Sequence, residues 1–558
     1  MSEYEAVIDE IGSFGPAQIQ VFILVSLFEA PVAWGLLVHP VFASRKVPWS
    51  CAYDNGTGGL GGFDSPSNAT SWLEGNCTLL EMSQCGSVIF STEYSSVVSE
   101  WTMICNRSHL ASLITTVQMV GGFIGAFISG QLSDIYGRKK ILISVYAVYC
   151  LSGLWSAFTN SWILYLVLKF IVGATVSGTM VVNFALTMEF VTPEWRTFCG
   201  TVGFWNIGVM LMALIGFLVP NWRYMTMTCS LLGLPLLACW WFIPESPRWL
   251  LLKGRRKEAE AILSKMAKRN SRPEPDFSKL QIFIQKQQNI RDESRKYTYW
   301  DLCRNFQMTR TTATILYMWF ACSCVYYGTT LGAGKLHGNI YLNLFLSGLV
   351  EIPGLLVVLA FNNRIGRRMT LCLLLLIGGA SCLSVLLVDL FGGIQLKWLS
   401  TMLSLIGKSG VSGAWAAVLI SSAELFPTVV RNIGMASCSM SSRIGSVVAP
   451  LMANLDEFHV SIPYVIYGIL GLSCGLLCLL IPETLNHPLP DTLPPGEYCS
   501  CLRGHTLSVE DVSLEEITKQ SNGVVPLDRD DNGTSDNTND KSLLNNTQVH
   551  EDEKDGML

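Results

Sequence analysis

An arginine, Arg443, lies about ten residues into an apolar stretch, residues 432–453, that is long enough to cross a membrane. At a rise of about 1.5 Å per helical residue, its guanidinium lies roughly 15 Å deep, near the bilayer midplane. A charge at that depth is costly, so such a residue normally faces the interior of a helix bundle. Two interpretations follow: Arg443 either marks a solute pathway or forms a structural ion pair that joins two helices.

Three further ionisable residues, Glu29, Glu351 and Lys408, lie near mid-depth in apolar stretches, and with Arg443 their charges sum to zero. We expect each to be partly structural, through pairing with another of the four. A proline two residues after Glu351 predicts a local helix break, and Glu351 is a candidate for binding a cationic substrate group or a coupling ion. Lys408 has a similar status, whereas Lys169 lies nearer the membrane surface and is expected to snorkel toward it.

Aromatic residues at similar depth offer a second kind of chemistry. Tyr326, Tyr327, Trp205 and Trp415 all fall within apolar stretches. A quaternary ammonium group held over such rings gains about 0.5–2 kcal/mol per ring; the alternative is that the rings only pack. Because neighbouring residues of a helix point about 100° apart, only one of Tyr326 and Tyr327 is expected to line a cavity.

The composition places these residues in a membrane protein. Half of the 558 residues are hydrophobic and 15% are charged, whereas a soluble chain of this length would carry more charge and divide into several domains. Twelve apolar runs of about 20 residues each meet the length of a membrane helix. The runs cover residues 18–40, 109–132, 141–161, 163–188, 199–219, 223–242, 311–331, 338–361, 369–390, 397–423, 432–453 and 461–481.

Basic residues divide the connecting segments into two classes. Segments after even-numbered runs carry Lys and Arg, whereas segments after odd-numbered runs have almost none. Because basic loops stay in the cytoplasm, both termini are predicted to be cytoplasmic. The predicted order is a cytoplasmic N-terminus (1–17), a six-helix half (18–243) with a large glycosylated extracellular loop (41–108), a cytoplasmic domain (244–310), a second six-helix half (311–481) and a cytoplasmic, largely disordered acidic tail (482–558).

The long segment after the first run carries signals of an oxidising compartment. It holds four cysteines and four N-x-Ser/Thr sequons, at Cys51, Cys77, Cys85 and Cys105 and at Asn55, Asn68, Asn76 and Asn106. These features predict glycosylation and two disulfides, with three pairings open. The positions of the basic residues independently place the same segment outside. The other fourteen cysteines have no metal-ligand spacing, so no metal site is predicted.

Three motifs recur in the same order, at offsets of 229, 235 and 238 residues. They are a glycine turn with a basic cluster at Gly137 and Gly366, a Glu–Arg pair spaced by seven at Glu189 and Glu424, and a Pro–Glu ending at Pro244 and Pro482. A nearly constant offset indicates that the chain is a duplicated six-helix unit. Repeats of this kind place a substrate site near the midplane, between the halves.

These motifs resemble those of the major facilitator superfamily. The resemblance implies an all-α membrane protein with 12 transmembrane helices in two pseudo-repeated six-helix halves. It also implies a charged latch that holds the cytoplasmic ends of the halves in one conformation. The residues that match the latch are Asp134, Gly137, Arg138, Glu189, Arg196, Gly366, Arg367, Glu424 and Arg431. The second half departs from the pattern at Asn363, where the superfamily has Asp, so its latch is expected to be weaker.

Three features carry a further resemblance: the large loop with its sequons, the ending at residues 244–250 and the segment 423–428. Through them the chain resembles solute carrier family 22, the organic cation, anion and zwitterion transporters, over about residues 1–495. Residues 325–328, 346–353 and 438–445 resemble most its carnitine and zwitterion branch, and member 15 within the family. Cation transporters of this family have Asp where this chain has Arg443, whereas anion and carnitine-type members have Arg. A buried guanidinium suits a carboxylate because it can donate two parallel hydrogen bonds.

The residues and the resemblance together predict a multi-pass carrier in the plasma membrane that moves small organic ions by alternating access. The expected substrate is a zwitterion of the carnitine, betaine or ergothioneine type. The predicted substrate-binding residues are Arg443 for the carboxylate and Tyr326, Tyr327, Trp205, Glu351 and Lys408 around the cationic group. No cofactor is expected. The branch suggests sodium as the coupling ion of a symporter, although no motif in the chain identifies a sodium site.

Other functions stay open at this point. An organic anion exchanger would use the same arginine, a polyspecific organic cation transporter would not, and a transporter-like receptor or sensor would bind without net flux. Enzyme function has no support, because no nucleophile–base or metal constellation is evident in the sequence. The expected partners are the substrate and the lipid bilayer, with no nucleic acid. The exact solute and the oligomeric state are not predicted.

Overall fold

The chain folds into α-helices joined mostly by short turns, as seen in a computed structural model. It describes residues 3–44, 47–53, 73–74, 77, 85–90, 95–293, 299–303, 305–333, 336, 338–362, 364–392, 396–427, 430–457, 459 and 461–485. The sequons at Asn55, Asn68 and Asn76 lie outside these ranges, as does the acidic tail beyond residue 485. The described residues all belong to one unit, Met1–Cys499.

The first half contains ten α-helices among its described residues. They are α1 (Glu3–Ile11), α2 (Pro16–Ser26), α3 (Glu29–Val38, continued by a π-helix, His39–Ala43), α4 (Val97–Glu100), α5 (His109–Tyr136), α6 (Arg138–Ser156), α7 (Trp162–Met188), α8 (Pro193–Thr201), α9 (Trp205–Leu218) and α10 (Trp222–Gly233, continued by a 3₁₀ helix, Leu234–Trp241).

A group of shorter helices connects the halves and a second long set follows. The connecting helices are α11 (Pro247–Leu252), α12 (Arg256–Arg269), α13 (Ser278–Glu293) and a 3₁₀ helix, Tyr299–Cys303. The second set is α14 (Phe306–Gly332), α15 (Ile340–Leu349), α16 (Glu351–Phe361), α17 (Arg367–Phe391), α18 (Lys397–Leu425), α19 (Arg431–Ala453, followed by a 3₁₀ turn, Asn454–Glu457) and α20 (Ile462–Cys478).

A helix, or a pair of consecutive helices, coincides with each of the twelve predicted apolar runs. Within the described ranges, eight helical segments are long and apolar enough to cross a membrane: residues 16–43, 105–136, 162–188, 193–218, 222–241, 340–361, 367–391 and 397–425. The helices α6, α14, α19 and α20 fall outside this set. Among them, α14 and α19 are rich in Ser, Thr and Cys, side chains that suit the inside of a bundle, and α20 is short. The structure therefore supports a multi-pass membrane protein, while twelve crossings remain a prediction.

Two long helices are broken where a proline follows a glutamate by two residues. α2 gives way to α3 at Glu29, two residues before Pro31, and α15 gives way to α16 at Glu351, two residues before Pro353. A proline has no N–H to donate to the carbonyl four residues earlier, so the helix opens just before it. The break predicted at Glu351 is therefore present, and Glu29 lies at a second one.

The helices pack in two groups that meet along two seams. The pairs α5–α7 and α6–α7 lie within the first group, and α14–α19, α17–α18 and α17–α20 within the second. The seams between groups are α5–α19 and α9–α15. Small residues allow close approach: a Cβ on Gly125 of α5 would collide with the backbone of Ala174 on α7. We call the end of the bundle that carries Gly137 and Gly366 the turn end.

A small sheet covers the opposite end, which we call the sheet end. Strand β1 (Trp49–Tyr53) lies between β2 (Leu73–Glu74) and β3 (Cys85–Phe90), and both pairings are antiparallel. Cys77 forms a disulfide with Cys105, which selects one of the pairings left open by the sequence. The other two predicted cysteines lie on neighbouring strands, Cys51 on β1 and Cys85 on β3. Asn106, whose sequon is the fourth, is exposed beside the disulfide.

Candidate functional site

A buried ion pair joins two of the predicted site residues. The Lys408 ammonium of α18 lies 2.9 Å from Glu351 Oε1 at the start of α16, and the two side chains are only 1% and 3% exposed. Lys408 Nζ also donates to Ser347 Oγ at 2.5 Å, and Ser412 Oγ donates to Glu351 Oε2 at 3.5 Å. Because two charges inside a membrane are costly unless paired and hydrogen-bonded, this arrangement lets both residues stay charged.

Aromatic side chains extend the pair across the seam between the groups. Tyr326 OH donates to the two Glu351 oxygens at 3.1 and 3.2 Å, and it accepts from Trp205 Nε1 at 2.8 Å. The Tyr326 ring lies edge-on to Tyr327, with centroids 5.4 Å apart, and 5.5 Å from Lys408 Nζ. Five of the six predicted substrate-binding residues thus form one contiguous cluster. Both tyrosines are half-buried, so neither is singled out as the cavity-lining one.

Arg443, the sixth predicted residue, lies apart from the ion pair. It is half-buried on α19, and its Nη1 donates to Ser177 Oγ of α7 at 3.2 Å. Its Nε is buried and has no hydrogen-bond partner among the described residues. Within the described part of the chain no carboxylate lies within ion-pair distance of Arg443, so the alternative of a structural ion pair finds no support there.

Glu29, the fourth mid-depth charge, is not paired with Arg443. Its Oε1 accepts a hydrogen bond from Asn183 Nδ2 at 3.3 Å, and the carboxylate packs against Gly203, just before the start of α9. The four charges therefore do not form two ion pairs. Glu351 and Lys408 neutralise one another, whereas Glu29 and Arg443 are each held by neutral groups among the described residues.

The prediction that Lys169 snorkels to the membrane surface is wrong. Its side chain is almost fully buried, with 2% of the residue exposed, and Nζ lies 5.1 Å from the centre of the Tyr165 ring. Tyr165 in turn contacts the buried His39, with 3.1 Å between its hydroxyl and Nδ1. Membrane depth estimated from position along the helix placed Lys169 near the surface. In the structure, the face of α7 that carries Lys169 packs toward α3 and away from lipid.

The predicted latch residues of the first group meet around Arg138 at the turn end. Gly137 separates α5 from α6 with φ 113°, a value that glycine adopts readily and other residues do not. Arg138 forms ion pairs with Asp134 at 2.5 Å and with Glu189 at 3.2 Å. Burial alone would lower the pKa of the Arg138 guanidinium, but Glu189 and Asp134 hold it above its ordinary value.

Arg196, the remaining predicted latch residue of this group, pairs with a helix that the sequence analysis did not identify. Its Nη2 lies 2.9 Å from Glu5 Oε1 on α1. On the same helix, Tyr4 OH donates to the backbone carbonyl of Glu189 at 2.8 Å, and Glu10 forms an ion pair with Lys279 of α13. The alternation of acidic and apolar residues in 3–11 is the signal that could have revealed α1.

The second group repeats the arrangement in part. Gly366 has φ 107°, and Arg367 Nε lies 3.2 Å from Glu424 Oε2. Arg431 Nε donates to the carbonyl of Phe426 at 3.2 Å, where its counterpart in the first group meets α1. The expected weakness of this latch stays a prediction, because residue 363 is outside the described ranges.

Two glutamates that the sequence analysis noted only as repeated endings complete these turns. Glu245 Oε1 accepts from Lys139 N at 3.0 Å, and Glu483 accepts from Arg367 N at 2.8 Å and Arg368 N at 3.1 Å. Each carboxylate therefore caps the helix that begins after the glycine. Partial burial alone would raise the pKa of Glu483, but four backbone N–H donors hold it below its usual value.

Sequence comparison places the chain among known transporters. A family described as sugar (and other) transporter matches residues 76–492. An organic cation transporter protein of Drosophila melanogaster is 34% identical over 548 residues, covering 93% of this chain and 99% of that protein. Solute carrier family 22 member 15 of Xenopus tropicalis is 38% identical over 414 residues, covering 73% and 76%. Organic cation/carnitine transporter 2 of Homo sapiens is 34% identical over 406 residues, covering 72% and 71%.

Solved structures share the same fold. The proton:xylose symporter XylE, of the major facilitator superfamily, bound to 6-bromo-6-deoxy-D-glucose, superposes with a TM-score of 0.59 over 85% of this chain and 97% of that one, at 16% identity. The partially occluded inward-open form of XylE from E. coli gives 0.56 over 84% and 98%, also at 16% identity. At such identity the likeness shows the fold alone, which is that of the major facilitator superfamily.

Proposed function

Because this chain belongs to solute carrier family 22, within the family of sugar and other transporters, we propose that it carries small organic zwitterions across the plasma membrane. The substrate is of the carnitine, betaine or ergothioneine type, and its entry is coupled to sodium. The chain crosses the membrane twelve times with both termini in the cytoplasm. The turn end is then the cytoplasmic end, and the sheet end is extracellular.

The half-buried guanidinium of Arg443 is the observation that carries this proposal. It has one hydrogen bond to a neutral hydroxyl, Ser177 Oγ, and a buried Nε without a partner among the described residues. A cation that lies so deep and has no anionic neighbour there favours an anion from outside the chain. A substrate carboxylate can accept two parallel hydrogen bonds from it, and binding then cancels the charge that made the site costly.

The aromatic cluster supplies the second half of the zwitterion site. Tyr327 packs edge-on against Tyr326, which accepts a hydrogen bond from Trp205. A quaternary ammonium held over the Tyr327 ring would gain about 0.5–2 kcal/mol. It would then lie near Glu351, with Tyr326 between them. Lys408 already neutralises Glu351. The carboxylate therefore attracts the substrate cation only to the extent that its ion pair with Lys408 weakens. A simple organic cation would be repelled by Arg443.

The way in which the two groups meet supports alternating access. The described polar contacts between them are the Trp205–Tyr326 and Arg443–Ser177 hydrogen bonds, both at the proposed site. The latch pairs Arg138–Glu189 and Arg367–Glu424 lie within one group each. The groups can therefore rock against one another about the site while each turn stays intact.

The test is uptake of labelled carnitine and ergothioneine into cells that express the protein, with sodium present and with sodium replaced. We expect saturable uptake that falls without sodium. Arg443→Ala should raise KM about 10- to 100-fold, as for loss of hydrogen bonds to a charged group. Arg443→Asp should abolish zwitterion uptake. Arg272→Ala, which removes an exposed arginine near the end of α12, is the matched control and should transport normally at equal surface level.

Each alternative predicts a different result. If Arg443→Ala keeps normal affinity, the arginine is structural and the proposal fails. Exchange of organic anions without zwitterion uptake would identify an anion exchanger that uses the same guanidinium. Saturable binding without flux would identify a receptor or sensor. Uptake of simple cations by the unmodified protein would favour a polyspecific organic cation transporter.

A further inference from the structure

Glu29 lies where two broken helices meet. Its own helix opens between α2 and α3, and the neighbouring helix opens between α8, which ends at Thr201, and α9, which begins at Trp205. The carboxylate packs directly on Gly203 in the second break, where an added Cβ would lie 3.0 Å from Glu29 Cδ. In membrane transporters, breaks of this kind mark positions that take part in transport.

Two helix N-termini lie beside this carboxylate. Glu29 is in the first turn of α3, and its carboxylate packs against Gly203, two residues before α9 begins at Trp205. Helix N-termini carry partial positive charge and unpaired N–H groups, so an anion is stabilised there. Asn183 adds a side-chain donor at 3.3 Å. The Glu29 carboxylate is thus held by the Asn183 amide and by its contact with Gly203 at the start of α9.

The start of α9 determines where Trp205 points. Trp205 is the first residue of this helix, and its Nε1 donates to Tyr326 OH across the seam at 2.8 Å. Tyr326 OH in turn donates to Glu351, which is paired with Lys408. A shift in the first turn of α9 would move the indole and break this connection.

We propose that Glu29 is a positioning residue that fixes the first turn of α9 and thereby aims Trp205 at Tyr326. Through Trp205 and Tyr326, the helix break at Glu29 in the first group is thus connected to the Glu351–Lys408 pair in the second. Glu29 acts through the α9 backbone and need not touch the substrate. The consequence for transport rests on the proposed function above, whereas the consequence for α9 does not.

Hydrogen–deuterium exchange of the purified full-length protein tests the structural step without any substrate. Glu29→Ala should speed amide exchange in peptides covering residues 202–208 by about tenfold, because the start of α9 loses the carboxylate that packs against it. Glu29→Gln keeps an acceptor oxygen and should retain most of the protection. Gly203→Ala keeps the charge but pushes the carboxylate aside, and it should behave like Glu29→Ala. Glu194→Ala, an exposed carboxylate on α8, is the control.

A double-mutant cycle on labelled carnitine uptake tests the link to Trp205. Glu29→Ala and Trp205→Phe should each raise KM about tenfold at matched surface level, and the double variant should be no worse than either alone. Additive effects would overturn the proposal, and so would unchanged exchange at residues 202–208 in Glu29→Ala and Gly203→Ala. If the unmodified protein takes up no carnitine, the proposed function fails, and the exchange experiment still decides the role of Glu29.

Discussion

The Glu351–Lys408 pair is the most completely buried charge pair in the described part of the chain, with side chains 3% and 1% exposed. The two side chains lie 2.9 Å apart, and the hydroxyl groups of Ser347 and Ser412 are hydrogen-bonded to them. Removing one partner leaves an uncompensated charge in an apolar interior, which typically costs about 3–5 kcal/mol. Removing both restores neutrality.

Lys408→Met should therefore reduce the amount of folded protein at the cell surface strongly, whereas the double variant Lys408→Met with Glu351→Leu should recover it. Surface biotinylation measures this directly. We expect the double variant to reach the surface but to lose at least about tenfold in carnitine uptake, because the polar anchor of Tyr326 is gone. Lys397→Met, an exposed lysine at the start of the same helix, is the control. Equal surface levels for all variants would contradict the argument.

At the scale of helices, the turn end is built twice from the same parts. A glycine with positive φ ends one helix, a basic residue starts the next, and a glutamate from far along the chain caps it. Gly137 and Glu245 play these roles in the first group, and Gly366 and Glu483 in the second. In both turns, a Cβ on the glycine would lie 2.5 Å from a carboxylate oxygen of the glutamate. The glycines therefore supply space as well as backbone freedom.

The lowered pKa of Glu483 gives this cap a pH dependence. A carboxyl group with a lowered folded-state pKa contributes stability that is fully present above its ordinary value, 4.5, and is lost as pH falls through the folded-state value. Glu483→Gln should thus lower the Tm of the purified protein by about 2 °C at pH 7, and the difference should shrink below pH 4.5. Thermal unfolding at both pH values measures it. A difference that grows on acidification would contradict the sign of the shift.

At the scale of the whole molecule, the two groups touch over a largely apolar seam with few polar contacts. Near the sheet end, Phe42 of the first group stacks on Tyr341 of the second with ring centroids 5.9 Å apart, and Phe217 contacts the same tyrosine edge-on at 5.7 Å. Apolar contacts between packed helices can separate and re-form without leaving unpaired polar groups. Such a seam suits a protein whose halves move against each other.

If transport needs this seam to open, a covalent link across it should stop transport. Phe42→Cys combined with Tyr341→Cys, treated with a short thiol-reactive cross-linker, should lose carnitine uptake to below about a tenth of its untreated value. A reducible cross-linker allows recovery on reduction. Phe42→Cys alone and Tyr341→Cys alone report any effect of the native thiols. Full uptake in the cross-linked double variant would show that the sheet end does not move during transport.

Much of the fold could be predicted from local sequence because a membrane imposes a simple rule. A span must be long, apolar and self-bonded, so runs such as residues 109–132 and 397–423 coincide with helices α5 and α18. The spacing of Gly137 and Gly366 identified the repeat in the same way. The role of Glu245 and Glu483 could not be derived, because each caps a helix that lies more than a hundred residues earlier in the chain.

The amino-acid sequence alone determined which residues could matter: four mid-depth charges, the aromatic residues near them and the glycine turns. Composition and spacing are sufficient for that, because depth in the membrane follows from distance along a helix. Only the tertiary structure decided which charges meet. Glu351 pairs with Lys408, whereas Arg443 faces Ser177 and Glu29 packs against Gly203 just before α9. The rotation of each helix sets these partners, and that rotation is determined by packing between helices distant in sequence.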